Sequence, residues 1–177
     1  MAAGNTGFMK ELYFPTLQEG KDANSMLVSV TTARNALKNI GNTGWGTPTK
    51  LQAASMLSAM GVPQATKFAA NAEMFQQAAM ERLWSTLNAA KGMQTEGDAS
   101  RAGQTFVQLK DTTQKNLYVL DLAQAVAEKA QRKAQFFREA YPLAVKEGDL
   151  QRVDREWNDR KLNISIFDMP SMKKWAQ

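Results

Sequence analysis

The sequence predicts an all-α protein of five or six helices, two of them long and amphipathic, with extended apolar arms at both ends. Three observations carry that prediction. Apolar residues recur at intervals of three and four along most of the chain, the period of one helical face. Glycine and proline fall between these stretches, as helix stops and starts require. An alternating, extended pattern occurs only beyond Arg160.

Residues 1–20 mix Gly, Asn, Thr and Pro with Phe8, Leu12, Tyr13 and Phe14, and are expected to form an arm that is mobile or ordered by a partner. A helical domain over 21–161 follows. Its first helix begins near Asp22, carries the stripe Met26, Val30, Ala33, Leu37 and Ile40, and stops at Gly41. In "GNTGWGTPTK" three glycines surround Trp45, and Thr47-Pro48 reads as an N-cap followed by proline at the first helical position. A helix over Pro48–Met60 then ends at Gly61.

The first long helix is expected from Pro63 to about Lys91, with Phe68, Ala72, Phe75, Ala79, Leu83, Leu87 and Ala90 on one face. At ~1.5 Å per residue it would span roughly 40 Å. "KGMQTEGDASRAG" breaks the chain at Gly92 and Gly97, after which Asp98 caps a short helix ending near Leu109. The second long helix is capped by Thr112 or Thr113 and runs to about Tyr141 on the stripe Val119, Leu122/Ala123, Val126, Ala130, Ala134, Phe137 and Tyr141. Pro142 kinks it or begins its last turns. Gly148-Asp149 stops and restarts the chain, and Leu150, Val153 and Trp157 form one more short face. In the last segment, 162–177, Leu162, Ile164 and Ile166 alternate with Asn163, Ser165 and Phe167, as in an extended tail.

Composition narrows the function classes. Hydrophobic content of 44% with 22% charged residues is that of a folded chain. The chain contains no Cys and no His, which removes disulfides, thiolate chemistry, the usual structural zinc ligands and the commonest proton shuttle near neutral pH. No enzyme activity, metal or cofactor is therefore expected. No window approaches ~18 consecutive apolar residues, so no membrane-spanning helix is expected, and the first residues lack the pattern of a secretory signal. The net charge of +5 is mild and dispersed; a solvated mixed-charge surface is the simplest account.

Each candidate site has a structural counterpart. "GNTGWG" lacks the Lys-Ser/Thr of a phosphate-cradling loop and reads as a turn pinned by Trp45. A carboxylate pair drawn from Glu81, Asp149, Asp154, Glu156 and Asp159 could perform acid–base work on a glycosidic bond. Arg152, Arg155, Arg160 and Lys161 interleave with those acids, which favours an ion-paired face. Lys129, Arg132, Lys133 and Arg138 are candidate phosphate contacts for non-specific binding of DNA, interrupted by Glu128 and Glu139. The ten methionines fill gaps between helices or make adaptable contacts, the latter for Met169 and Met172. In the tail, Ile166, Phe167, Met169, Pro170 and Trp175 either dock on a partner or cover the protein's own core. With Trp45 they form the candidate docking set.

Several stretches, taken in order, resemble a family. They are "GWGTPTKLQAASMLSAMGVPQATKFAANAEMF", "MERLWSTLNAAKGMQTEGDASRAGQTFVQL", "YVLDLAQAVAEKAQRKAQFFREA", "GDLQRVDREW" and "SIFDMP". Together they resemble the internal virion, DNA-transfer or ejection proteins of tailed bacteriophages. The resemblance implies a non-enzymatic virion component, made in the host cytoplasm, that assembles as a homo-oligomer and with sister virion proteins. It also implies transient contact with the host envelope, where the protein helps build a conduit for the genome. The alternatives are a fixed neck, tail or capsid-associated part, and a DNA-binding packaging factor.

Overall fold

The computed structural model describes residues 2–38, 44–90, 95–159 and 161–176. Among them the regular structure is helical, with no strand. Helix α1 (Ala2–Phe8) passes through one wide π turn (Met9–Tyr13) into α2 (Phe14–Leu37). Then come α3 (Thr47–Ala59), the single turn α4 (Ala65–Phe68), α5 (Ala72–Ala89), α6 (Asp98–Gln108), α7 (Thr112–Glu147) and α8 (Gln151–Trp157). Two 3₁₀ turns, Ile166–Asp168 and Pro170–Trp175, close the chain.

The frame is an antiparallel pair, α2 on α7. At one end the Arg34 guanidinium meets the Asp121 carboxylate at 2.8 Å. In the middle Gly20 lies against Ala134, and at the other end the Tyr13 and Tyr141 rings are 4.5 Å apart. With 36 residues, α7 is about 54 Å long at ~1.5 Å per residue. The stripe Met26, Val30, Ala33 and Leu37 is buried, as its spacing requires; Ile40 and Gly41, expected to end it, lie outside the described residues, as do Gly92 and Arg160.

Among the described residues two apolar clusters form the core. The larger joins α2, α3, α5, α6 and the first half of α7, with Met56, Leu57, Phe75, Leu83 and Tyr118 at its centre. The smaller lies at the far end and joins Phe8, Tyr13, Phe137, Ala144, Val153 and Trp157. On the α5–α7 contact the Gln76 side-chain amide donates to Asn116 Oδ1 at 2.7 Å and to the Thr112 carbonyl at 3.2 Å. This polar pair sits inside the larger cluster and fixes the register of the two helices.

Three expectations are corrected. The apolar arm at residues 1–20 is helical from Ala2 and belongs to the frame, because Phe8 and Tyr13 are buried against α7 and α8. Pro15 is accommodated by the π turn just before it, in which the Phe14 N–H reaches back to the Met9 carbonyl. The first long helix is therefore α2, while the stretch 63–91 is broken. Gln64 adopts a left-handed φ of 55°, the Ala69 carbonyl is taken by Trp45 Nε1 at 2.9 Å, and Asn71 starts α5 afresh by accepting the Met74 N–H at 2.9 Å. The second long helix ends at Glu147 and not near Tyr141, with Pro142 opening its last turns as one of the two expected outcomes; packing on the smaller cluster outweighs the one backbone donor lost. Its cap is Asp111, which accepts the Gln114 N–H at 2.9 Å.

Candidate functional site

Two of the polar side chains that sequence reasoning set apart, Lys129 and Arg132, meet the C-terminal segment at its seat on α6 and α7. Ile166, Phe167, Met169 and Met172 are all buried in the larger cluster. Two successive 3₁₀ turns bury all four, the adjacent pair Ile166 and Phe167 included, which a regular two-residue alternation would not. The expected extended tail is thus a pair of tight turns, and its candidate docking residues Ile166, Phe167 and Met169 cover the chain's own core. Pro170 is exposed and starts the second turn. Trp175 is half-buried, edge-on to the Tyr118 ring at 5.1 Å. Trp45, the remaining candidate, packs against Phe75 at 5.8 Å and serves the α3–α5 joint.

Charged groups clamp this strap along its length. At its start, Asp98 accepts the Ser165 hydroxyl at 2.6 Å and the Ile166 N–H at 2.9 Å. Asp98 opens α6, as expected, but its carboxylate caps the strap's first turn and not its own helix; the residue before α6 is Gly97. The Lys129 ammonium donates to the Ile164 carbonyl at 2.6 Å. Arg132 reaches the Met169 sulfur at 3.6 Å, and the Arg101 guanidinium lies 4.1 Å over the Phe167 ring. At the far end Arg101 donates to the Ala176 carbonyl at 2.7 Å. Asp121 accepts from Lys174 at 2.7 Å and from Trp175 Nε1 at 2.9 Å, besides Arg34 on its other side.

Burial shifts two of the groups around this seat. The Lys129 pKa is lowered to about 8, chiefly because the charge is taken out of water; the Asp98 carboxylate opposes that shift, and Lys133 and Arg132 add to it. Burial pushes the Tyr118 phenol up to about 12, while its hydroxyl donates to the Ala102 carbonyl at 3.0 Å.

Of the four candidate phosphate contacts, Lys129 and Arg132 are therefore engaged by the strap. Lys133 lies 5.4 Å over the Phe137 ring, and Arg138 is exposed. Three acids around the start of the C-terminal helix are ion-paired: Arg152 bridges Glu147 and Glu156, and Arg155 holds Asp149. The Asp149 carboxyl is held below its ordinary range, first by the Arg155 hydrogen bond, and Arg152 is raised by its two glutamates. Glu81 is exposed on α5. Among the described residues no group of three or more acids is placed to hold a metal ion, and no helix is long and apolar enough to cross a membrane.

Asp121 and Arg101 are the site residues that sequence reasoning missed. Asp121 had a signal: it is the lone acid in the apolar run "YVLDLAQAV", where an ionised group needs partners to be buried. Arg101, in a polar stretch, had none. The fold and site define a class in structural terms alone, a long antiparallel helix pair flanked by shorter helices and closed by a clamped C-terminal strap. No protein-family model, curated protein or solved structure matches the chain.

Proposed function

We propose that this chain is a structural protein of a tailed-bacteriophage virion, an internal or ejection protein that assembles in multiple copies with itself and with sister virion proteins. In this reading it helps deliver the genome through the host envelope, touching that envelope transiently and DNA without sequence preference. The observation that carries the reading is where the phage-like stretches fall. They coincide with α3, α5, α6, α7, α8 and the strap, the elements that pack and clamp. Its charged side chains also act as struts: Asp98, Asp121, Lys129 and Arg152 are each tied to a partner within the chain.

Association with neighbours is supported by the apolar side chains left outside. Trp84 and Val107 border one shallow groove between α5 and α6, and Leu143 and Val145 protrude from the end of α7. Exposed apolar surface of this kind is costly in water and stabilising at a protein contact. For DNA, Arg138 is an exposed cation of α7.

The test is quantitative mass spectrometry of purified particles of the encoding phage, before and after triggered genome release. The expected result is several copies per particle before release and loss afterwards. Retention in emptied particles would make the chain a fixed neck, tail or capsid part. Absence from both would overturn the virion reading.

A further inference from the structure

We propose that residues 164–176 are a detachable peptide ligand of the α6–α7 seat, and that the tail of a second copy of this chain takes the same seat when copies assemble. The argument begins with the two clusters. Val153 and Trp157 of α8 belong to the smaller one, whereas Ile166, Phe167, Met169 and Met172 belong to the larger. Between them the chain is held by its own bonds: the Lys161 N–H to Asp159 Oδ1 at 2.9 Å, and the Leu162 N–H to the Asp159 carbonyl at 3.1 Å. Releasing the strap therefore leaves α8 and the smaller cluster closed, as a separately opening unit requires.

The manner of holding is that of a peptide in a groove. The strap's backbone is met by side chains of the body: Asp98 on the Ile166 N–H, Lys129 on the Ile164 carbonyl and Arg101 on the Ala176 carbonyl. Those three contacts fix both ends and the chain direction. Buried Ile166, Phe167, Met169 and Met172, and the Trp175 indole on Asp121, supply the sequence readout. A second copy carries this same ligand by construction. The contacts made within one chain or between two are identical, so exchange costs little beyond association itself, the condition under which segments swap. The hinge lies after Asn163, whose N–H and side-chain amide are held by the Asp159 carbonyl and Asn158 Oδ1 at 3.0 and 3.2 Å. This inference needs a second copy but not the virion reading, and its test reads neither particles nor genomes.

Because the chain contains no cysteine, single cysteines can be labelled site-specifically. Full-length copies with a donor dye at Lys173→Cys are mixed with full-length copies with an acceptor at Gln104→Cys, both exposed positions. Energy transfer between copies is expected to rise with concentration in step with association in the ultracentrifuge. It is expected to fall at least tenfold when the donor copy also carries Ile166→Asp and Phe167→Asp. Association without transfer, transfer that survives those substitutions, or no association at all would each overturn the proposal. Hydrogen exchange on the unsubstituted chain decides the matter if the doubly substituted copy fails to fold. The Ile166 and Met172 amides are expected to exchange at least tenfold faster than those of Val119 and Leu122. Exchange of all four in one global step would rule out a detachable strap.

Discussion

Lys129 shows how much a single half-buried cation matters here. It holds its proton less tightly in the folded chain, at about 8, than its ordinary 10.5. Between those values the unfolded chain keeps a proton that the folded chain has lost, so this group's contribution to stability rises with pH through that window and is flat below it. Tyr118 acts in the opposite sense. Its folded pKa of about 12 lies above the ordinary 10.0, so the unfolded chain loses its proton first and stability falls as pH climbs from the lower value to the higher. Tyr13, also raised by burial, adds to that fall. Urea midpoints stepped from about pH 7 to 11 are expected to rise beyond pH 8 and then turn down. Lys129→Met should remove the rise, and Tyr118→Phe should lessen the fall. A flat profile unaffected by Lys129→Met would show that its ammonium is not desolvated.

Among the elements, the closest approach is that of α2 and α7 at Gly20. A Cβ built there overlaps the Ala134 side chain and meets the Ala130 carbonyl at 3.8 Å. Glycine inside a helix costs about 1 kcal/mol against alanine, and that cost is accepted because it brings the two helix backbones together. Gly20→Ala is therefore expected to destabilise the fold by ~1–2 kcal/mol net, the clash of ~1–3 kcal/mol exceeding the propensity gain. Adding Ala134→Gly should restore packing more than the sum of the single changes allows, measured as a double-mutant cycle in urea. The chain spacing alone gave no warning of this contact. Gly20 reads as the end of an arm until Tyr13 is seen against Tyr141 and Phe137 at 4.5 and 6.5 Å.

On the scale of the whole molecule, Asp121 is the tie between parts that are far apart in sequence. Its carboxylate, nearly fully buried, holds Arg34 of α2 and both Lys174 and Trp175 of the strap. Removing one partner of a buried ion pair leaves the others uncompensated. Asp121→Asn is thus expected to cost about 3 kcal/mol in urea unfolding and to loosen strap and α2 together. Asp149→Asn, on an exposed pair with Arg155, should leave the midpoint essentially unchanged, because water and salt screen such pairs. Equal losses from the two would mean that Asp121 does not tie the parts together.

What the sequence determined by itself was local: the helical class, the stripe Met26–Val30–Ala33–Leu37, the stop at Gly148 and the pairing of Asp149 and Glu156 with arginines of α8. Each depends on residues within a turn or two of one another, where period, caps and charge spacing act directly. The tertiary structure alone decided that residues 2–20 are helix, that 63–91 breaks at Gln64 and Asn71, and that the tail is a strap clamped by Asp98, Lys129, Arg101 and Asp121. Those outcomes turn on partners far along the chain, such as Tyr141 for Tyr13, Trp45 for Ala69, Ile164 for Lys129 and Ala176 for Arg101. A short segment of mixed composition carries no period strong enough to fix its own conformation. Its shape follows from the apolar surface and buried charge it must satisfy.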